Sequence, residues 1–310
     1  MRKFLATAFV VLICGGPFLL SSCADDDPND ASLKNAVEIK LNGDSIICDS
    51  KSVYVEEDGK IMISSAGRYN ISGTLDNGMI HVDCVDAGEL ELVLNGVSIT
   101  NDDGPCVVIN KAQKAVVTLL DGTVNTLADG EKYKFDDPLD DEPDAALFSK
   151  EDLLIDGKGT LVIYANYSGA VFSKDGLTID GGNIEINSVN HGIKGKDYLV
   201  INGGSLKIHA NGDGLKSTNE ESDAVGYIEI NGGVVDIYSE DEAMQAISAI
   251  SINGGTVSAD SINNGFRCLG AINFNGGEIV LDADDTPLLA VTIDKTENCT
   301  VTVNGNRYNG

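Results

Sequence analysis

The chain has 310 residues, with 35 Gly and no Trp, and its 49 acidic residues against 21 Lys and Arg give a formal net charge of -28. A surface of that sign repels nucleic acid and anionic lipid, so neither is expected as a partner, and it attracts divalent cations. His81, His191 and His209 lie far apart, and there is no Gly-rich phosphate loop and no zinc spacing, so nothing local supports triad, nucleotide or zinc chemistry.

Arg2 and Lys3 followed by the apolar residues 4–20 read as a secretory signal covering residues 1–22. It closes on Leu20-Ser21-Ser22-Cys23, which resembles a bacterial lipobox with Cys23 as the acylated first residue of the mature protein. Residues 23–34 form an acidic tether, and its start, Cys23-Ala24-Asp25-Asp26-Asp27, resembles the surface-export signal of some gut-dwelling bacterial lipoproteins. The expectation is an exported monomer, held at the outer membrane through its lipid alone and exposed at the surface.

Residues 35–310 read as a single domain. Residues 35–89 contain short, irregular strand patterns such as VEIKLNG and GRYNISG, as expected of the cap that covers the open end of a solenoid. Regular strand patterns begin at Leu90 and break at residues 125–144, a polar and densely acidic stretch that reads as a long projecting loop. They resume at Ala145, and residues 284–310 supply the cap at the far end.

Residues 177–283 repeat one phrase: LTIDGGNIEINS, LVINGGSLKIHA, IEINGGVVDIYS, ISINGGTVSADS and INFNGGEIVLDA. The steps between Asp180, Asn202, Asn231, Asn253 and Asn275 are 22, 29, 22 and 22 residues, and the long step holds the acidic insert Asn219-Glu220-Glu221-Ser222-Asp223. Each copy is a short apolar alternation, a turn and a second alternation. No copy can bury its apolar edge alone, so the copies must stack. The period fits one rung of an all-β parallel β-helix with three short strands; it is too short for a propeller blade.

A second column precedes each Gly-Gly strand. Aligned on its turns, it gives the row Phe148, Phe172, Lys194, Lys216, Gln245 and Arg267, and a second row that pairs Lys150/Glu151, Lys174/Asp175 and Lys196/Asp197. Rungs lie about 4.8 Å apart, so stacked like charges repel unless an acid or a bound ion intervenes. Carboxylates of adjacent rungs can share one Ca²⁺, which takes six to eight oxygens. The candidate ligands are Asp141, Glu142 and Asp144 in the loop, Asp175 and Asp197 on the corner row, and Asp213 with the acidic insert. Once the signal and Cys23 are set aside, Cys48, Cys84, Cys106, Cys268 and Cys299 remain. They read mostly as small buried residues, with Cys84 and Cys106 one rung apart and able to stack as neighbours.

LVLNGVSIT, the Asp103-Gly104-Pro105 turn, NTLADG, DDEPDAALFSKEDL, HGIKGKDYLVINGG and GDGLKS occur in that order. Together they resemble the calcium-associated carbohydrate-binding β-helix family, right-handed parallel β-helices similar to pectate lyases and found on or outside bacterial cells. The resemblance covers about residues 35–283. It implies Ca²⁺, an acidic or plant-type polysaccharide, and no established catalysis. The family's Asp-Gly-Ile turn survives at Asp213-Gly214-Leu215, whereas His191-Gly192-Ile193 and Glu242-Ala243-Met244 depart from it.

The functional expectation is therefore a non-catalytic polysaccharide-binding lipoprotein in which Lys194, Lys216 and Arg267 meet carboxylates or hydroxyls and Tyr167 and Tyr198 stack on sugar rings. A pectate-lyase-like enzyme is the alternative. It needs a base next to a calcium-bound uronate, for which Lys194 or Lys216 is the candidate. A structural surface adhesin is the third reading.

Overall fold

The computed structural model describes residues 33–310 apart from 57, 58, 87, 136 and 138. The signal, Cys23 and nearly all of the tether lie outside the described residues. Asn35–Gly310 forms one compact unit.

The chain is all-β, with no α-helix among the described residues. Each repeat contributes three short strands. On the first face Gly176–Ile179, Tyr198–Ile201, Tyr227–Ile230, Ala249–Ile252 and Ala271–Phe274 pair in parallel, in that order. After the Gly-Gly turn, Asn183–Ser188, Ser205–Ala210, Val234–Ser239, Thr256–Ser261 and Gly277–Ala283 do the same on the second face. The third face stacks Gly169–Ser173, Ile193–Gly195, Leu215–Lys216, Met244–Ala246 and Phe266–Cys268. Long parallel sheets in which each strand pairs with the corresponding strand of the next repeat are consistent with a β-helix.

The alternation of side chains along a strand fixes the interior. Leu177, Leu199, Ile228, Ile250 and Ile272 form one inward stack, and Ile193, Leu215, Met244 and Phe266 another, every member fully buried. Burying each such side chain contributes about 2 kcal/mol. Outside, the turn residues form an amide ladder: Asn202 Nδ2 donates to Asp180 Oδ1 at 2.7 Å, and Asn231, Asn253 and Asn275 each donate to the preceding asparagine at 2.8 Å. The turn itself depends on glycine. Gly233 has φ +85°, and a Cβ there would lie 2.7 Å from the Gly204 carbonyl oxygen one rung away.

The segment read from the sequence as a cap, residues 35–89, carries parallel pairing of its own. Val37–Gly43 pairs in parallel with Gly67–Leu75, and that strand with Glu89–Thr100, so rung-type stacking starts at Val37. Among the described residues there, only the hairpins Val37–Gly43/Ser45–Ile47 and Val53–Val55/Lys60–Ile63 are antiparallel. The inward alternation of Ile39, Ile61, Ile63 and Ile71 is regular; the irregular turns conceal it in the sequence. At the other end Thr292–Lys295 and Cys299–Val303 add a further parallel layer before the antiparallel Asn306–Arg307 closes it. All five described cysteines are free. Cys84 and Cys106 do not stack: Cys106 adjoins Ile80 while Cys84 adjoins Lys111, at opposite ends of the third face.

Candidate functional site

The second-column row expected from the sequence forms on the outside of the third face. Phe148, Phe172, Lys194, Lys216, Gln245 and Arg267 occupy successive register positions. The two phenylalanines do not face solvent. Together with Val108 and Ala145 they form a small apolar cluster outside the main core, against which Met79 packs.

Tyr167 packs with Tyr133 and Phe135. Its ring stacks on Tyr133 with centroids 4.0 Å apart and planes 18° apart, and Phe135 packs on both rings. The Tyr133 hydroxyl donates to Asp129 Oδ2 at 2.5 Å. From the acidic loop, Glu142 forms an ion pair with Lys174. Burial raises the pKa of Asp144, while the nearby Lys194 charge acts to lower it. Lys194 lies 5.3 Å from the Phe172 ring centroid, a cation–π distance. Burial lowers its pKa, opposed by Asp144 and reinforced by Lys216.

Lys216 and Arg267 are engaged by acids at the corner between the second and third faces. Lys216 Nζ lies 2.5 Å from Oδ2 of Asp213, which is completely buried. Arg267 Nε lies 3.8 Å from Glu242 Oε1. His191 completes the group, with Nδ1 3.0 Å from the Asp213 backbone nitrogen and Nε2 3.2 Å from Lys216 Nζ. Burial and the Lys216 charge push its imidazole down to about 4, so the ring is neutral.

Asp213 does not associate with the Glu220–Asp223 insert. Its neighbours are Asp241 and Glu242 on the next rung, and the three carboxylates bring oxygens within 4.8 Å of one another. Glu242 donates its backbone N–H to Asp213 Oδ1 at 3.2 Å. Burial, with Asp213 and Asp241 beside it, raises the Glu242 carboxyl to about 7. For Asp241 burial acts upward, but hydrogen bonds with Asn263 and Glu242 outweigh it and the pKa falls.

The other candidate ligands lie apart from this cluster. Asp141 is exposed and Glu142 is paired with Lys174. Asp175 and Asp197 sit at the opposite corner, between the third and first faces, where Asp197 Oδ1 accepts from Asn219 Nδ2 at 2.6 Å. Burial and the nearby Asp152, Asp197 and Glu151 raise the Asp175 carboxyl. Among the described residues only Asp213, Asp241 and Glu242 converge as a possible metal-binding group. That set is all oxygen and spans two rungs, which fits a hard cation such as Ca²⁺.

Asp241 and Glu242 were absent from the sequence candidates. Glu242 was visible only as a departure from Asp-Gly-Ile, yet it occupies the register position next to Asp213 and supplies the same functional group.

Residues 57–290 match the profile of a family described as "Carbohydrate-binding domain-containing protein". The chain belongs to that family. A protein of the same description from Acetivibrio thermocellus is 38% identical over 149 residues, 48% of this chain and 50% of that protein; the chain spans about half the length of this curated relative. A solved structure, described as the polysaccharide lyase-like protein from C. thermocellum in a gadolinium derivative, is similar with a TM-score of 0.69 and 31% identity, covering 84% of this chain and all of that one.

Proposed function

We propose that this family member is a non-catalytic polysaccharide-binding protein, a right-handed parallel β-helix assisted by Ca²⁺ and displayed on the bacterial envelope through a lipid on Cys23. The observation that carries the reading is the internal pairing of two cations of the third-face row: Lys216 is held by the buried Asp213 and Arg267 faces Glu242. A lysine acting as a base must offer a lone pair, and an ammonium fixed against a buried carboxylate does not. Asp213, Asp241 and Glu242 would hold the Ca²⁺, which supplies positive charge beside the row and a bridge to an acidic or hydroxylated sugar. These residues' own part is to fix the corner between two rungs and to bring in Lys216 when no cation is present.

A calcium-assisted lyase is the second reading, favoured by one observation: burial and neighbouring charge lower the Lys194 pKa, as a base requires. Titration of the full chain with polygalacturonate, in Ca²⁺ and in chelator, tests the first reading, and ultraviolet absorbance of unsaturated uronate tests the second. Calcium-dependent binding with no new absorbance supports the binding protein. New absorbance that disappears in Lys194→Ala establishes the lyase.

A further inference from the structure

We propose that the groove beside Tyr198, on the first face, is a subsite for a neutral, hydroxyl-rich pyranose unit; this rests on the polysaccharide-binding reading above. The groove has a volume of about 350 Å³ and is lined by Gln113, Lys114, Asp152, Asp180, Tyr198 and Asn202 among others. That is the lower range of small-molecule sites and the scale of one or two sugar rings.

Register builds its wall. Lys114, Gly176, Tyr198 and Tyr227 each begin a strand in one row, and Asp152, immediately before Leu153, continues that row on its own rung. Gly176 has no side chain, and the Tyr198 ring lies over it: a Cβ at Gly176 would come within 2.0 Å of the ring. This carries the Tyr198 hydroxyl to 3.4 Å from Asp152 Oδ1 and leaves the ring nearly parallel to Tyr227, at 17° with centroids 5.7 Å apart. Asp152 Oδ1 also accepts from the Gly176 N–H at 2.8 Å, which fixes the carboxylate at the edge of the groove. Asp180 is held by Asn202 in the amide ladder.

A pyranose with equatorial hydroxyls presents an apolar C–H face and a polar rim. An aromatic face takes the first. Around it, Asp152 and Asp180 accept from hydroxyls, while Gln113, Lys114 and Asn202 donate to them. The electrostatics select against a uronate. Asp152 and Asp180 line the groove against the single cation Lys114, and Asp175, Asp197 and Glu151 gather at the adjoining corner closely enough to act on one another. A sugar carboxylate would add to that repulsion.

Calorimetric titration of the full chain with β-1,4-linked glucose oligosaccharide, and separately with oligogalacturonate, tests the site. The expected result is binding of the glucose oligosaccharide equally in Ca²⁺ and in chelator. Tyr198→Ala weakens it about tenfold, the loss of one aromatic contact, and Tyr198→Phe retains it. Gly176→Ala also weakens it, because the new methyl displaces the ring while the backbone, which has no positive φ there, is undisturbed; unchanged thermal unfolding separates this from misfolding. Undiminished binding in both Tyr198→Ala and Gly176→Ala overturns the subsite and leaves the polysaccharide-binding reading standing. A Tyr198→Ala loss confined to oligogalacturonate overturns the neutral assignment. A wild-type chain that binds no polysaccharide overturns both readings together.

Discussion

Lys216 Nζ lies 2.5 Å from Oδ2 of Asp213, a carboxylate with no solvent exposure. The contact joins a row that runs along the third face to a cluster at its corner, and it sets the charge state of both. Removing Lys216 leaves Asp213 buried without its cation, a change that costs about 3–5 kcal/mol. Lys216→Met is expected to lower the thermal unfolding midpoint in chelator and to recover part of the loss on addition of Ca²⁺, since the competing ammonium is gone. Unfolding scans with and without Ca²⁺ check both parts; the absence of any calcium effect removes Asp213, Asp241 and Glu242 as the metal site.

Two neighbours of that contact titrate in opposite senses. The His191 pKa of about 4 lies below its ordinary 6.5. Between those values the unfolded chain binds a proton that the folded chain does not, so the contribution of His191 to stability is complete above pH 6.5 and is lost as pH falls towards 4. Glu242 stands at about 7 against an ordinary 4.5, so its contribution is complete below pH 4.5 and is lost as pH rises through 7. In the metal-free protein the two oppose each other between pH 4.5 and 6.5. Relative to wild type, His191→Asn should gain stability as pH falls through that window and Glu242→Gln should lose it. Difference curves from unfolding scans in chelator give the sign directly.

The amide ladder is exposed, so its hydrogen bonds compete with water. Asn231 donates to Asn202 and accepts from Asn253. Asn231→Ala should cost about 1–3 kcal/mol, two net hydrogen bonds at about 0.5–1.5 kcal/mol each. Chemical denaturation measures this, and an unchanged midpoint would show that the ladder is solvated decoration.

Gly233 is less forgiving. Gly233→Ala places a Cβ at positive φ and 2.7 Å from a backbone carbonyl of the preceding rung. Neither neighbour is a side chain that can swing aside, so a loss of at least about 2 kcal/mol is expected. The same denaturation experiment on Gly176→Ala should show almost none, because there the neighbour is a movable ring.

The repeats were legible because one rule generates them. A turn Asp or Asn followed by two glycines recurs once per rung over residues 177–283, and Leu199 stacks on Leu177 one such step away. Aligning the same turns also yielded the row from Phe148 to Arg267, since parallel strands place equivalent positions side by side. What escaped depends on contacts between different columns. The Tyr133–Tyr167 stack joins a non-repeating segment to a rung, so no alignment of repeats predicts it. The Tyr198 ring takes its direction from an absent side chain at Gly176, one rung earlier. Sequence proximity groups Asp213 with the insert, whereas register brings it beside Glu242, 29 residues on.

The long step between Asn202 and Asn231 has a wider consequence. It adds seven residues, 29 against 22, at the corner before Tyr227. The pairing on either side is undisturbed: Leu199 still faces Ile228 and Leu215 still faces Met244. A corner can therefore take up added chain as an exchangeable cassette, at a closure cost that grows only slowly with length. A strand takes an extra residue only as a bulge, as between Leu94 and Val97, because an insertion not absorbed in that way turns every later core side chain outward. New specificities in this architecture should accordingly arise by replacing whole corner loops over an unchanged stack, and grafting a different loop between Asn219 and Gly226 is the natural route to engineering one.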